Sequence, residues 1–404
     1  MIKTGLFWLL TATFATAFYD EKQFADLRKQ YGWVDIPEVN MKIDEMIRYH
    51  GYPVEMHNVI TEDHYVLSVQ RIPSSPNYKG PIKSVPVFLQ HGLLDSATTW
   101  VINGPKKSLA YVLADQGYDV WLGNSRGNFY SMTNTKIPNT DSKFWDFTFE
   151  EMAKYDVPAC INYIQKMSNA SKINYVGHSQ GTTMAFIEFS RNQDLAKKIN
   201  KMVALAPVAT VNNILGAFKY FAKAKTPLKY LFKLMGVKQF LPTSFLTKYL
   251  AKMICAKEYL NNICAGFIFI MAGFDTSNMN TTRLPAYIAH TPAGASVKDM
   301  FHFAQNVGKP GLRKYDYGYF SNYFKYGQFS APEYDFKPFN VRLAIFTGGN
   351  DWLAQPQDVS QSVRGQIKTI VYDEDFPEMN HLDFVWGVDA ATLIYNKIVK
   401  IFDY

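Results

Sequence analysis

The pentapeptide Gly177-His178-Ser179-Gln180-Gly181 constrains this chain more than any other segment. An apolar run ending in Tyr175-Val176 precedes it, and Thr182-Thr183-Met184-Ala185-Phe186 follows with helical character. The order reads as strand, sharp turn and helix, with Ser179 on the turn. A serine hydroxyl is a weak nucleophile at neutral pH. It has to stand clear of the backbone, meet a base and face donors that hold an oxyanion. A nucleophile elbow performs the first of these tasks. Gly177 and Gly181 suit it because a Cβ at either position would collide with the crossing strand and helix. A bare G-x-S-x-G turns up by chance in roughly one chain in seven of this length, so the flanking strand and helix carry the signal.

Other apolar runs extend the pattern. Residues 85–90 predict a buried strand ending at His91-Gly92, and residues 118–122 another ending in Gly123-Asn124-Ser125-Arg126-Gly127. Residues 144–166 read as one helix. Further strands are predicted at 202–206, 342–347 and 367–372. Apolar strands alternating with helical segments predict an α/β class: a mostly parallel sheet with helices on both faces. Together with the elbow, this is an α/β-hydrolase fold. Residues 209–338 break the rhythm, with helical patterns and little strand signal. The expected division is 18–208 for the first part of the core, 209–338 for a helical cap, and 339–404 for the second part of the core.

From 211 to 257 the chain carries nine lysines and no acid: Lys219, Lys223, Lys225, Lys229, Lys233, Lys238, Lys248, Lys252 and Lys257. Phe218, Tyr220, Phe221, Tyr230, Leu231, Phe232, Leu234 and Met235 lie between them. This basic amphipathic composition predicts contact with a lipid–water interface, against the plainer reading of a solvated helix face. The formal net charge is +7, mostly from excess lysine, without the clustered arginines that nucleic-acid binding would want. Charged residues are only 19% of the chain and 48% is hydrophobic, which excludes extensive disorder.

Residues 1–17 read as a secretory signal peptide: Met1-Ile2-Lys3, an apolar stretch from Gly5 to Phe14, then Ala15-Thr16-Ala17. That stretch and the next most apolar one, from Ile263 to Phe274, are both shorter than the ~20 residues of a bilayer span, so no transmembrane helix is expected. Entry into the secretory pathway, ending in a lysosome or outside the cell, implies oxidising surroundings. Of three cysteines, Cys255 and Cys264 are close enough to close a small loop, or remain two buried thiols, and Cys160 is left over as a buried small hydrophobe. Asn169-Ala170-Ser171 and Asn280-Thr281-Thr282 are glycosylation sequons. No spacing suggests a metal site or a cofactor, and no obligate protein partner is implied.

In the order set by such a fold, an acid and then a histidine follow the serine. His381, in Asn380-His381-Leu382-Asp383-Phe384, lies beyond the last predicted strand, where the base belongs. His290 and His302 fall in the cap region. Asp351 follows the strand at 342–347 and is the expected acid, with Asp358 its competitor; Asp373 and Asp375 belong to the wrong strand. The oxyanion donors expected are the backbone N–H groups of Gln180 and Leu93. His91 is expected to brace that loop, and the side chain of His178 to diverge from the nucleophile.

With these residues assembled, the chain resembles the acid lipase family, whose members include gastric and lysosomal acid lipases. The resemblance runs from about Asp44 to the C-terminus. It rests on Gly51-Tyr52-Pro53, Thr61-Glu62-Asp63, His91-Gly92-Leu93-Leu94-Asp95-Ser96, Gly123-Asn124-Ser125-Arg126-Gly127-Asn128 and Phe144-Trp145-Asp146-Phe147. The elbow, Pro292-Ala293-Gly294, Gly348-Gly349-Asn350-Asp351 and the His381 segment complete it. The resemblance implies hydrolysis of triacylglycerol or cholesteryl esters without metal or colipase, under a helical cap. It implies the triad Ser179, Asp351 and His381, oxyanion donors Leu93 and Gln180, and a cap disulfide between Cys255 and Cys264. Ala272 departs from a free cysteine found in some members, Cys160 is an addition, and Asp63-His64 replaces an expected Asp-Gly turn. Work at acidic pH carries a physical demand: an imidazole of ordinary pKa is only about 3% neutral at pH ~5, so the base needs burial.

Overall fold

The computed structural model describes residues 36–242, 271–273 and 278–404. Residues 1–17, Cys255, Cys264, Lys248, Lys252 and Lys257 lie outside them. A nine-stranded sheet is built from β1 (Glu55–Ile60), β2 (Tyr65–Ile72), β3 (Val87–Gln90), β4 (Val120–Gly123), β5 (Thr133–Asn134), β6 (Ile173–His178), β7 (Ile199–Leu205), β10 (Leu343–Gly348) and β11 (Ile370–Phe376). Between β7 and β10, the two-residue strands β8 (Gln239–Phe240) and β9 (Ala295–Ser296) pair with each other. The main order is β1-β2-β4-β3-β6-β7-β10-β11, with β5 beside β2. Every pairing from β4 through β3, β6, β7 and β10 to β11 is parallel.

Burial explains that arrangement. Every residue of β3, β4, β6 and β10 is buried, as a central strand covered on both faces requires. The antiparallel β1–β2 hairpin at one edge has no counterpart among the predicted strands. Its turn uses His64 at φ 74°, a left-handed conformation that glycine adopts more easily. Asp63 there accepts from Nη2 of the buried Arg126 at 2.8 Å, and Asp156 accepts from the same nitrogen at 2.6 Å. The Asp63-His64 turn thus supplies one carboxylate of a buried ion cluster.

The helix predicted over 144–166 is broken. A 3-10 turn spans Ser142–Trp145, and a new helix starts at Phe149, capped by Thr148, whose N–H and hydroxyl both reach Glu151. A wide π turn over Met152–Asp156 leads into α1 (Val157–Ser168). Pro158 explains the wide turn: its ring would clash with the carbonyl four residues back in a regular helix. After the elbow comes α2 (Gln180–Arg191).

Between β7 and β10 lie α3 (Gly216–Lys223), α4 (Lys225–Leu234), α5 (Val297–Asn306) and α6 (Tyr319–Tyr326). Helix α5 buries most of its residues, whereas α4 buries none and α6 only Asn322.

Candidate active site

Ser179 sits between β6 and α2 at φ 53° and ψ −120°. A positive φ on a residue with a Cβ is strained, and the surroundings hold it. The Ser179 N–H donates to Leu205 O at 3.1 Å, and Thr182 returns both its N–H (2.8 Å) and its hydroxyl (2.6 Å) to Ser179 O. A Cβ on Gly177 would come within 2.8 Å of the Gly181 carbonyl carbon, and one on Gly181 would strike Gln90 O. The crossing of β6, α2 and β3 therefore tolerates no side chain at either glycine.

Asp351 follows β10 and His381 follows β11. His381 Nδ1 donates to Asp351 at 2.8 Å (Oδ2) and 3.0 Å (Oδ1). Asp351 Oδ1 also accepts from the N–H groups of Leu353 (2.9 Å) and Ala354 (2.7 Å), which fixes the carboxylate. The acid is 0% and the imidazole 3% exposed. The competitor Asp358 is taken by Asn213, whose N–H and side-chain amide donate to it at 2.9 and 2.7 Å. Asp373 and Asp375 hold Arg364. No hydrogen bond joins Ser179 Oγ to His381 among the described residues.

What ties the serine turn to the His381 segment is His178. Its Nε2 donates to His381 O at 2.9 Å, and the two rings lie 5.0 Å apart. Burial, with the neighbouring His381, pushes His178 down to about 3, so the ring stays neutral and its proton sits on Nε2. Sequence reasoning left His178 without this task. Its neighbour relation to Ser179 was visible, but a contact 203 residues away was not.

The loop after β3 carries Leu93. His91 braces it as expected: Nε2 accepts from Ser125 N at 3.0 Å and Nδ1 donates to Gly92 O at 2.7 Å. Burial lowers the His91 pKa to about 4, which keeps this single-proton pattern. Ala293 N donates to Leu94 O at 2.6 Å, and Thr291 Oγ1 to Asp95 at 3.1 Å, so residues 291–293 clamp the loop. A Cβ on Gly92 would come within 2.9 Å of Ser179 Cβ, which places the loop against the elbow. Neither the Leu93 nor the Gln180 N–H meets an acceptor among the described residues.

Elsewhere, Asn169 is exposed at the end of α1, and Asn280 is half-buried with its Oδ1 accepting from Thr282 at 2.7 Å. Cys160 is a buried free thiol whose pKa burial pushes up strongly. Among the described residues, no cluster of three metal-ligating side chains forms and no helix is long and apolar enough to cross a membrane.

Two family models match: a partial alpha/beta-hydrolase lipase region over residues 43–104 and the alpha/beta hydrolase fold over residues 85–388. The chain is 46% identical over 372 residues to the gastric triacylglycerol lipase of Homo sapiens, covering 90% of this chain and 92% of that one. This chain belongs to the acid lipase family. The lysosomal acid lipase/cholesteryl ester hydrolase of Homo sapiens is 43% identical, with 90% and 91% covered. Among solved structures, an esterase from Exiguobacterium antarcticum matches with a TM-score of 0.53 at 14% identity, over 87% of this chain and 100% of that one, and shows the shared fold. Membership of this family makes the chain an ester hydrolase.

Proposed function

We propose that this acid lipase family member hydrolyses the ester bonds of neutral lipids, triacylglycerol or cholesteryl esters, through a covalent acyl-enzyme. The observation that carries the reading is the buried Asp351–His381 hydrogen bond, tied through His178 to the turn that strains Ser179. Ser179 Oγ attacks the ester carbonyl and gives its proton to His381 Nε2. Asp351 keeps Nδ1 protonated and stabilises the imidazolium. The N–H groups of Leu93 and Gln180 hold the oxyanion. His381 protonates the departing alcohol, and water repeats the cycle on the acyl group. The Ser179–His381 hydrogen bond forms with substrate, as such bonds often tighten only in the complex.

The substrate class is supported by the relatives named above and by the surface. Residues 209–338 are proposed as the cap. Helix α4 presents Tyr230, Leu231 and Leu234 (85% exposed), followed by exposed Met235, beside Lys225, Lys229 and Lys233. Helix α6 presents Tyr319, Phe320, Tyr323 and Phe324 (87% exposed). Apolar side chains flanked by lysines suit a lipid–water interface. Acidic working pH, a secretory or lysosomal location, glycosylation at Asn169 and Asn280, and a Cys255–Cys264 bridge belong to the same proposal. The test is hydrolysis of emulsified triacylglycerol and cholesteryl ester across pH 4 to 8. The reading expects a rate that jumps when substrate forms an interface. Equal rates on monomeric and emulsified ester would instead favour a carboxylesterase of small soluble esters.

A further inference from the structure

Asp299 lies on α5, in the insertion between β7 and β10, and is 0% exposed. It forms no ion pair among the described residues. Its Oδ1 accepts from Phe149 N at 2.7 Å and its Oδ2 from Gln180 Nε2 at 3.0 Å. Gln180 is the residue whose backbone N–H faces the oxyanion in the reading above. The same Nε2 contacts Met152 Sδ at 3.0 Å, while Gln180 Oε1 is buried without a partner. The amide is thus held by its nitrogen alone.

The groups around this carboxyl do not neutralise it. Glu151, beside Phe149, adds negative charge and is occupied with Thr148. His302, one turn along α5 and stacked on Phe149 at 3.9 Å, is neutral because burial pushes it down to about 3. Lys298 turns away, donating to Asp146 at 2.7 Å and to Tyr317 Oη at 3.3 Å. A buried carboxylate with no cation holds its proton far above the usual range.

We propose that Asp299 positions Gln180 for catalysis in its protonated form, so that ionisation of this carboxyl turns the site down as pH rises. The proposal rests on the ester-hydrolase reading and deepens it. Burial lifts the Asp299 carboxyl to about 7. Below that pH the neutral acid donates from Oδ2 to Gln180 Oε1 once the amide turns over, a motion that exchanges the Nε2 contacts with Asp299 and Met152 for this bond to the unpartnered oxygen. Above it, the anion places negative charge one side chain from the N–H that receives the oxyanion, and like charge in a buried site opposes that step. Asp299 is a positioning residue: it touches Gln180 and not the substrate.

The test measures kcat of the full chain on p-nitrophenyl butyrate from pH 4 to 9. The wild type is expected to lose about tenfold between pH 6 and 8.5, reversibly on return to pH 5.5. Asp299→Asn, which mimics the neutral acid, is expected to raise the ratio of kcat at pH 8.5 to kcat at pH 5.5 about tenfold. The ratio cancels differences in folded yield. Should that variant not fold, Asp299→Ser decides: it removes the ionisable group while its hydroxyl can still donate to Gln180 Oε1, so the same ratio should again rise about tenfold. Profiles that superimpose on the wild type overturn the proposal. Labelling by a fluorophosphonate at pH 5.5 separates the two failures. Without a label on Ser179 the hydrolase reading itself falls, whereas label with an indifferent pH profile removes only the role of Asp299.

Discussion

His178 Nε2 donates to the carbonyl oxygen of His381 across 2.9 Å, joining the turn that carries Ser179 to the segment that carries the Asp351-bound imidazole. The bond fixes backbone rather than side chain, so His178 acts by holding the two halves of the site in register. His178→Phe keeps a ring in the space but removes the donor. It should lower kcat on a soluble ester by on the order of 10–100-fold, the usual result of displacing a catalytic group by about 1 Å. KM should change little. A kcat within twofold of wild type would show the bond to be incidental.

Asp351 and Asp358 are both buried carboxylates near the end of β10, but only Asp351 reaches the imidazole. Asp351→Asn should lower kcat by about 10⁴, because the wrong tautomer of His381 is then favoured. Asp358→Asn should leave turnover nearly intact and lower stability by about 1–2 kcal/mol through its bonds to Asn213. Measuring kcat and the urea midpoint for both variants checks the assignment, and a reversed pattern would refute it.

Phe320 and Phe324 stand out from α6 at 73% and 87% exposure. Replacing both with serine should lower the ratio of emulsion rate to soluble-ester rate at least about tenfold, since each buried phenylalanine contributes about 1.5–3 kcal/mol. An unchanged ratio would remove α6 from the interface.

Glu38 is buried, which opposes its ionisation, yet the His50 ring at 3.2 Å and the Arg283 guanidinium donating at 2.9 Å hold its pKa at about 2. The folded value lies below the usual 4.5, so the stabilisation is present above pH 4.5 and is lost as pH falls toward 2. Arg283→Gln should therefore remove on the order of 2–3 kcal/mol at pH 6 and much less at pH 2.5. Urea unfolding at the two pH values measures it; equal losses would contradict the linkage.

The elbow was legible because sterics leave it few sequences: two glycines and a serine between a strand and a helix. The pairing of Asp351 with His381 was legible from chain order and strand ends. The β1–β2 hairpin was not read, although Glu55–Ile60 and Tyr65–Ile72 flank a turn, because β1 is a mostly exposed edge strand and β2 interleaves polar residues with its buried ones, so neither forms a continuous apolar run. The helix over 144–166 was over-read because Thr148 and Pro158 reset it, and both are local signals inside an apolar stretch. The Asp299–Gln180 bond spans 119 residues, and no periodicity announces a contact between two polar side chains that far apart.

The central claim is that Ser179 becomes covalently acylated with His381 as its base. The most direct measurement is peptide mapping after reaction with a fluorophosphonate, on the wild type and on Ser179→Ala. The account predicts one adduct, on the peptide containing Ser179, absent from the variant, with ester hydrolysis lowered on the order of 10⁶-fold. An adduct on another residue, or a variant that still hydrolyses ester at more than about a hundredth of the wild-type rate, would contradict it.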